Sequence, residues 1–148
     1  MIVNFNKTEI SEISKKILEM VMKSKNNGAK IVALSGDLGS GKTTMTQELA
    51  RQLGIKENVV SPTFVIMKIY NINSNNIYYL NFKKLIHIDA YRLDSYLELL
   101  KIGWQEIIED KDNLIVIEWP EKIIEIIPKN SIKIILSHID EEKRGIKF

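Results

Sequence analysis

Gly36, Gly41, Lys42 and Thr43 stand in "GDLGSGKTT", residues 36 to 44, at the spacing G-x-x-x-x-G-K-[ST]. The chemistry of that spacing is the capture of phosphate. Glycines take up backbone conformations closed to other residues, so successive N–H groups can turn inward around phosphate oxygens. A helix that starts at Lys42 adds its unsatisfied N–H groups and the positive end of its dipole at the same point. The Lys42 ammonium then reaches the β- and γ-phosphates, and the Thr43 hydroxyl offers one oxygen ligand to Mg2+. An ordinary glycine-rich turn would not need an apolar strand before it and an amphipathic helix after it. The expected ligand is a nucleoside triphosphate with magnesium.

Such a site also needs a carboxylate at the end of a neighbouring strand, because the sheet aims that strand's C-terminus at the phosphates. Two runs qualify: "LIHID" ends in Asp89 and "LIVIE" ends in Glu118. Either can hold Mg2+, directly or through water, while the other orients the attacking water or senses the γ-phosphate. His87 lies two residues before Asp89, hence on the same face of its strand. It reads as a core residue or a support behind a neighbouring ligand rather than a catalyst. His138 belongs to no motif and receives no role.

The elements that must position these groups follow from periodicity. Ile10, Ile13, Ile17, Met20 and Val21 recur at helical spacing, which predicts a helix over 8–24, with Asn6 and Glu9 spaced as a capping box. "KIVALS" is a nearly continuous apolar run, the pattern of a strand covered on both faces. The helix from Lys42 to Leu53 is closed by Gly54. After "SPTFVIMKIY", the turn formers "NINSNN" and the run "IYYLNF" predict a β-hairpin with a loose loop. "KLIHID", "NLIVIEW" and "SIKIILSHI" predict further strands, separated by the short helical segments "SYLELLKIGW", "QEIIED" and "EKIIEII". Alternating strands and helices indicate an α/β fold. We expect a P-loop NTPase-like three-layer arrangement: a mostly parallel central sheet with antiparallel additions from the hairpin and the C-terminal strands. Residues 1–148 are expected to form a single P-loop ATPase domain.

Composition narrows the function. A chain of 148 residues can bury about two thirds of its unfolded surface in one core. It has no cysteine, which excludes a disulfide framework, a thiolate nucleophile and a zinc-thiolate site. No apolar stretch approaches the roughly 20 residues that span a bilayer, and "MIVNFNKTEISE" lacks the basic-then-apolar order of a signal peptide. No membrane contact and a cytoplasmic location are expected. The net charge of +2 divides into +4 over residues 1–74 and −2 over 75–148, and the three arginines, Arg51, Arg92 and Arg144, are scattered. That is not the clustered basic face of a nucleic-acid binder. Neither N-K-x-D late in the chain nor D-x-x-G is present, so adenine is favoured over guanine. A small-molecule kinase would close an arginine-bearing lid over the transferred group, and the corresponding region, 92–104, offers Arg92 alone. A slow hydrolase completed or switched by a partner fits better than a kinase. A nucleotide-dependent binding module without hydrolysis is the remaining alternative.

Four segments together, "GDLGSGKTT", "VVSPTF" at 59–64, "HIDAYRL" at 87–93 and "IEWPE" at 117–121, resemble the TsaE (YjeE) family, the ATPase subunit of bacterial tRNA threonylcarbamoyladenosine synthesis. The likeness extends to "KTEISEISKKI", to "LELLKIGWQEII" and to the late Arg144, so it covers most of the chain. It implies that Gly39, Ser40, Gly41, Lys42, Thr43 and Thr44 embrace the phosphates of ATP, with Thr43 and Glu118 holding Mg2+. It implies Asp89 near the γ-phosphate, through the attacking water or the metal shell, with Tyr91 and Arg92 adjoining. "SPTF" would be a nucleotide-sensing switch, Thr63 its polar contact and Phe64 part of its packing. Trp119 would sit beside the nucleotide and Thr8 near the base or sugar. By the same resemblance the partners are the TsaD and TsaB proteins, whose complex ATP hydrolysis would reset between turnovers, with tRNA touched at most indirectly. Two departures are small: Ser40 stands where alanine is usual, and "NINSNNIYYLNFKK" is longer than the usual hairpin.

Overall fold

A computed structural model describes residues 1–148. Seven strands form one sheet in the order β1-β7-β6-β2-β5-β4-β3. They are β1 (Val3–Asn6), β2 (Lys30–Ser35), β3 (Met67–Asn71), β4 (Lys84–Asp89), β5 (Asn113–Glu118), β6 (Ile132–His138) and β7 (Lys143–Lys147). The central four, β6, β2, β5 and β4, run parallel. β3 adds antiparallel at one edge, and β7 and β1 add antiparallel at the other. The mixed sheet with a parallel centre is the predicted α/β architecture.

Helices α1 (Ile10–Lys23) and α2 (Lys42–Gln52) cover one face. Ile17, Leu18 and Val21 of α1 and Met45 and Leu49 of α2 pack with Val32, Leu34, Leu114 and Val116 of the strands. Each such fully buried aliphatic side chain contributes about 1.5–3 kcal/mol. The alternate residues Ile31, Ile86, Ile115 and Ile117 point to the other face. They meet Leu99 of α3 (Tyr96–Lys101), Trp104 of α4 (Trp104–Glu109) and Ile123 of a 3₁₀ segment, Pro120–Ile126. Burial of both faces explains why β2 and β5 read as unbroken apolar runs.

Local signals account for the boundaries. The Asn6 N–H donates to Glu9 Oε2 at 2.6 Å, and a 3₁₀ turn, Lys7–Glu9, leads into α1. α2 ends where Gly54, at φ 75°, lets Gly54 N donate to Arg51 O and Ile55 N to Ala50 O, the paired bonds of a left-handed helix stop.

The predicted hairpin and the unpredicted strand β1 depart from expectation. "IYYLNF" is not a strand: β3 pairs with β4 instead, Tyr70 opposite Leu85, and residues 77–82 fold as successive turns. Tyr78 and Tyr79 pack on the core of the α1–α2 face, and the Asn76 amide donates to Gln52 O at 2.8 Å. The segment is thereby fixed against the end of α2. β1 and β7 are short edge strands with a weak pattern of their own, and each is defined by its partner, Phe5 opposite Arg144.

Candidate functional site

The loop between β2 and α2 carries left-handed backbone at Gly36 (φ 142°), Gly39 (φ 79°) and Gly41 (φ 101°). At Gly36 a side chain has no room, because a Cβ would lie 2.2 Å from Leu136 O. A cavity of about 680 Å³ opens over this loop. β4 and β5, on one side of β2, contribute Asp89, Glu118 and the adjacent Trp119, while β1, β6 and β7, on the other side, contribute Phe5, Leu136 and Arg144.

Asp89 and Glu118 are register partners at the C-terminal ends of β4 and β5, so the parallel pairing places both carboxylates beside the start of α2. Glu118 is 2% exposed. Its Oε2 accepts from Thr43 Oγ1 at 3.0 Å, and its Oε1 lies 3.4 Å from Thr46 Oγ1 and 2.7 Å from His87 Nε2. Asp89 is 5% exposed and engaged by the segment before β3. Its Oδ2 accepts from Ser61 Oγ at 2.6 Å and Thr63 Oγ1 at 2.9 Å, and its Oδ1 accepts from Tyr91 N at 3.0 Å. The two carboxylates are therefore different groups: one is backed by α2 and His87, the other by the 61–63 hydroxyls.

Lys42 is turned back onto its own loop. Its Nζ donates to Gly36 O at 2.6 Å and Asp37 O at 2.9 Å, and sits 4.0 Å from the centroid of the Trp119 ring. Burial pulls the ammonium below the ordinary lysine range, opposed by the charges of Glu118, Glu121, Asp89 and Asp37. A cation desolvated among carbonyls and carboxylates is poised for a ligand that brings several anionic oxygens. Trp119 itself is held at φ 59°, a left-handed conformation that costs a bulky residue about 1–3 kcal/mol. It packs against Tyr91 at 5.0 Å between ring centroids.

Gly39, Ser40, Gly41, Lys42, Thr43, Thr44, Thr63, Asp89, Glu118 and Trp119 all line the one cavity. Thr8 does not. It is exposed on the 3₁₀ turn, and the lining is supplied by its neighbours Lys7 and Ile10. Phe64 stays out of the core, 86% exposed, with the Arg92 guanidinium 4.6 Å from its ring centroid. Sequence reasoning overlooked Ser61, although "SPT" carries a hydroxyl residue on each side of a proline. It overlooked Thr46 too, one helical turn beyond Lys42. Arg144 was noted without a role, and the cavity now includes it.

The donor set suits magnesium. Thr43 and Glu118 present hard oxygens side by side, and Mg2+ is usually held by one or two protein oxygens with phosphate oxygens and water completing the shell. No cluster of three or more acidic, histidine or cysteine side chains forms a self-sufficient metal cage.

The sequence model of the family described as "Threonylcarbamoyl adenosine biosynthesis protein TsaE" matches residues 5–146. The chain belongs to the TsaE family. A relative from Borreliella burgdorferi, a tRNA threonylcarbamoyladenosine biosynthesis protein TsaE, is 44% identical over 101 residues, covering 68% of this chain and 67% of that one. TsaE proteins of Haemophilus influenzae and Bacillus subtilis are 35% and 34% identical, over 87% and 80% of this chain and 76% and 68% of theirs. The crystal structure of Bacillus subtilis YdiB superposes with a TM-score of 0.68 at 26% identity, over 99% of this chain and 83% of that one. The family's role lies in tRNA threonylcarbamoyladenosine biosynthesis, and a phosphate-binding loop is consistent with it. No helix is long and apolar enough to cross a membrane.

Proposed function

We propose that this chain is a magnesium-dependent ATPase subunit of tRNA threonylcarbamoyladenosine synthesis, weak alone and activated by its partners. Residues 1–148 act as one P-loop ATPase domain in the cytoplasm. The observation that supports this best is the junction of the glycine loop, the Thr43–Glu118 contact at 3.0 Å and Asp89, which faces the same cavity.

ATP enters with its phosphates on the N–H groups of residues 39–44, where helix-terminal donors and the dipole of α2 favour anions. Lys42 leaves the carbonyls of Gly36 and Asp37 for the β- and γ-phosphate oxygens. Thr43 and Glu118 would hold Mg2+, which would neutralise phosphate charge when bound. Asp89 orients the attacking water or closes the metal shell. Trp119 flanks the nucleotide. Thr63 and Ser61 exchange their bonds to Asp89 for the γ-phosphate region, so that hydrolysis returns the 61–66 segment to its resting place. That exchange is a switch of the order-by-phosphate kind. Its reader is the TsaB–TsaD complex, which ATP hydrolysis resets between turnovers, with tRNA contacted at most indirectly.

The test is multi-turnover tRNA modification in a mixture reconstituted with TsaB and TsaD. Lys42→Ala and Glu118→Ala are each expected to abolish it. Normal turnover by either variant overturns the proposal. Release of free phosphate, rather than a phosphorylated metabolite, separates this reading from a kinase.

A further inference from the structure

His87 is completely buried, on the strand that ends in Asp89, and nothing in the reaction outlined above uses it. In the sheet it pairs with Val116, so Glu118 is its diagonal neighbour on the same face. Its Nε2 lies 2.7 Å from Glu118 Oε1, and its Nδ1 is buried with no hydrogen-bond partner. A ring that only filled space would be better replaced by an aliphatic side chain, since an unpaired buried polar atom costs about 1–3 kcal/mol. One bond, to Glu118, is all this histidine makes in return.

That bond matters for the carboxylate. The terminal torsion of a glutamate is broad and does not fix the plane of its two oxygens. Thr46 cannot fix it either, since its single hydroxyl hydrogen is directed to Lys42 O at 3.0 Å, shorter than its 3.4 Å approach to Oε1. His87 is the donor that remains on the inner oxygen. With Oε1 held, Oε2 is left facing Thr43 and the cavity.

We infer that His87 is a positioning residue for Glu118, clamping Oε1 so that Oε2 is presented to the divalent cation that accompanies a bound triphosphate. The inference rests on the ATPase reading for the existence of that cation, and concerns how the protein aims its ligand. Partners of this kind, lying behind a metal ligand, typically change metal affinity by 10–100-fold when removed.

The experiment compares His87→Gln with His87→Asn in the full chain. The glutamine amide reaches the place of Nε2, whereas the asparagine amide reaches only that of Nδ1, which has no partner. Both are buried polar replacements of similar structural cost, and circular dichroism selects folded protein. Mn2+ is titrated against protein and a non-hydrolysable ATP analogue, free ion being read by electron paramagnetic resonance. Calorimetry with the analogue in a chelator gives binding without metal. We expect the Gln variant within about threefold of wild type for Mn2+, the Asn variant weakened about 10–100-fold, and metal-free binding unchanged in both. Equal behaviour of the two variants, whether like wild type or equally weakened, overturns the role of His87. It is likewise overturned if neither variant folds while His87→Leu folds and keeps wild-type Mn2+ affinity. If wild type itself takes up no Mn2+ with the analogue, the ATPase reading falls first and this inference with it.

Discussion

Replacing Gly36 by alanine tests how the phosphate loop is fastened to the sheet. The new Cβ would lie 2.2 Å from Leu136 O and 2.6 Å from Ser40 Oγ, where ordinary contact begins at 3.4 Å. Leu136 belongs to β6, which is bonded to β2 on one side and to β7 on the other, so its carbonyl cannot retreat by the ångström required. Overpacking of this kind costs about 1–3 kcal/mol, and the left-handed φ of 142° adds about 1–2 kcal/mol for a residue with a Cβ. The two contributions together make a loss of about 2–5 kcal/mol, or roughly 5–15 °C in Tm for a chain of this size. Gly39→Ala is the matched control: its φ is also left-handed, but a Cβ there meets nothing within 4 Å, leaving only about 1–2 kcal/mol. Gly103→Ala, at φ 95° with nothing near it, should match Gly39→Ala in stability while leaving nucleotide binding untouched. Thermal and urea unfolding followed by circular dichroism measure the three, with calorimetric titration of a magnesium–ATP analogue alongside. A Gly36→Ala protein within about 0.5 kcal/mol of Gly39→Ala would refute the steric account.

Other consequences are open to simpler measurements. Thr46→Val removes the buried bond to Lys42 O without changing shape, and is expected to cost about 1 kcal/mol in urea unfolding; no measurable change would show that the bond is energetically idle. Trp119 borders Lys42 and lines the cavity, while the other tryptophan, Trp104, is buried in the core and does not line it, so an ATP analogue with Mg2+ should alter tryptophan emission in wild type and not in Trp119→Phe. Persistence of the signal in that variant would place the nucleotide elsewhere. Arg51 beside Glu48 holds the Glu48 carboxyl below the ordinary carboxylate range, through their hydrogen bond first. A lowered folded-state value means that the stabilisation exists at neutral pH and is lost as pH falls through it. Wild type should therefore be slightly more stable than Glu48→Gln at pH 7, and the gap should shrink as pH falls below the ordinary carboxylate range. A gap unchanged at low pH would remove the ion pair as its cause.

Most of the residues that line the cavity and the order of the elements were legible along the chain because both follow from local properties. The glycine loop is set by residues adjacent in sequence, Gly36 to Thr44, and the parallel strands announce themselves by apolar runs that need cover on both faces. Asp89 and Glu118 could be nominated as strand-end carboxylates, but not told apart. Their difference lies in neighbours distant in sequence: Thr43, Thr46 and His87 around one, Ser61 and Thr63 around the other. The edge strand β1 was invisible, and β7 was expected only as an antiparallel C-terminal addition without its residues, for a related reason, since a short strand is defined by the hydrogen bonds of its partner rather than by its own alternation. The turns at 77–82 were misread as a strand because tyrosine and isoleucine favour strands in general, while here Tyr78 and Tyr79 are drawn onto the core beside α2. Periodicity along a chain reports which faces will be buried. Which oxygen faces the cavity and which a histidine depends on register between strands, and only the closed sheet sets that register.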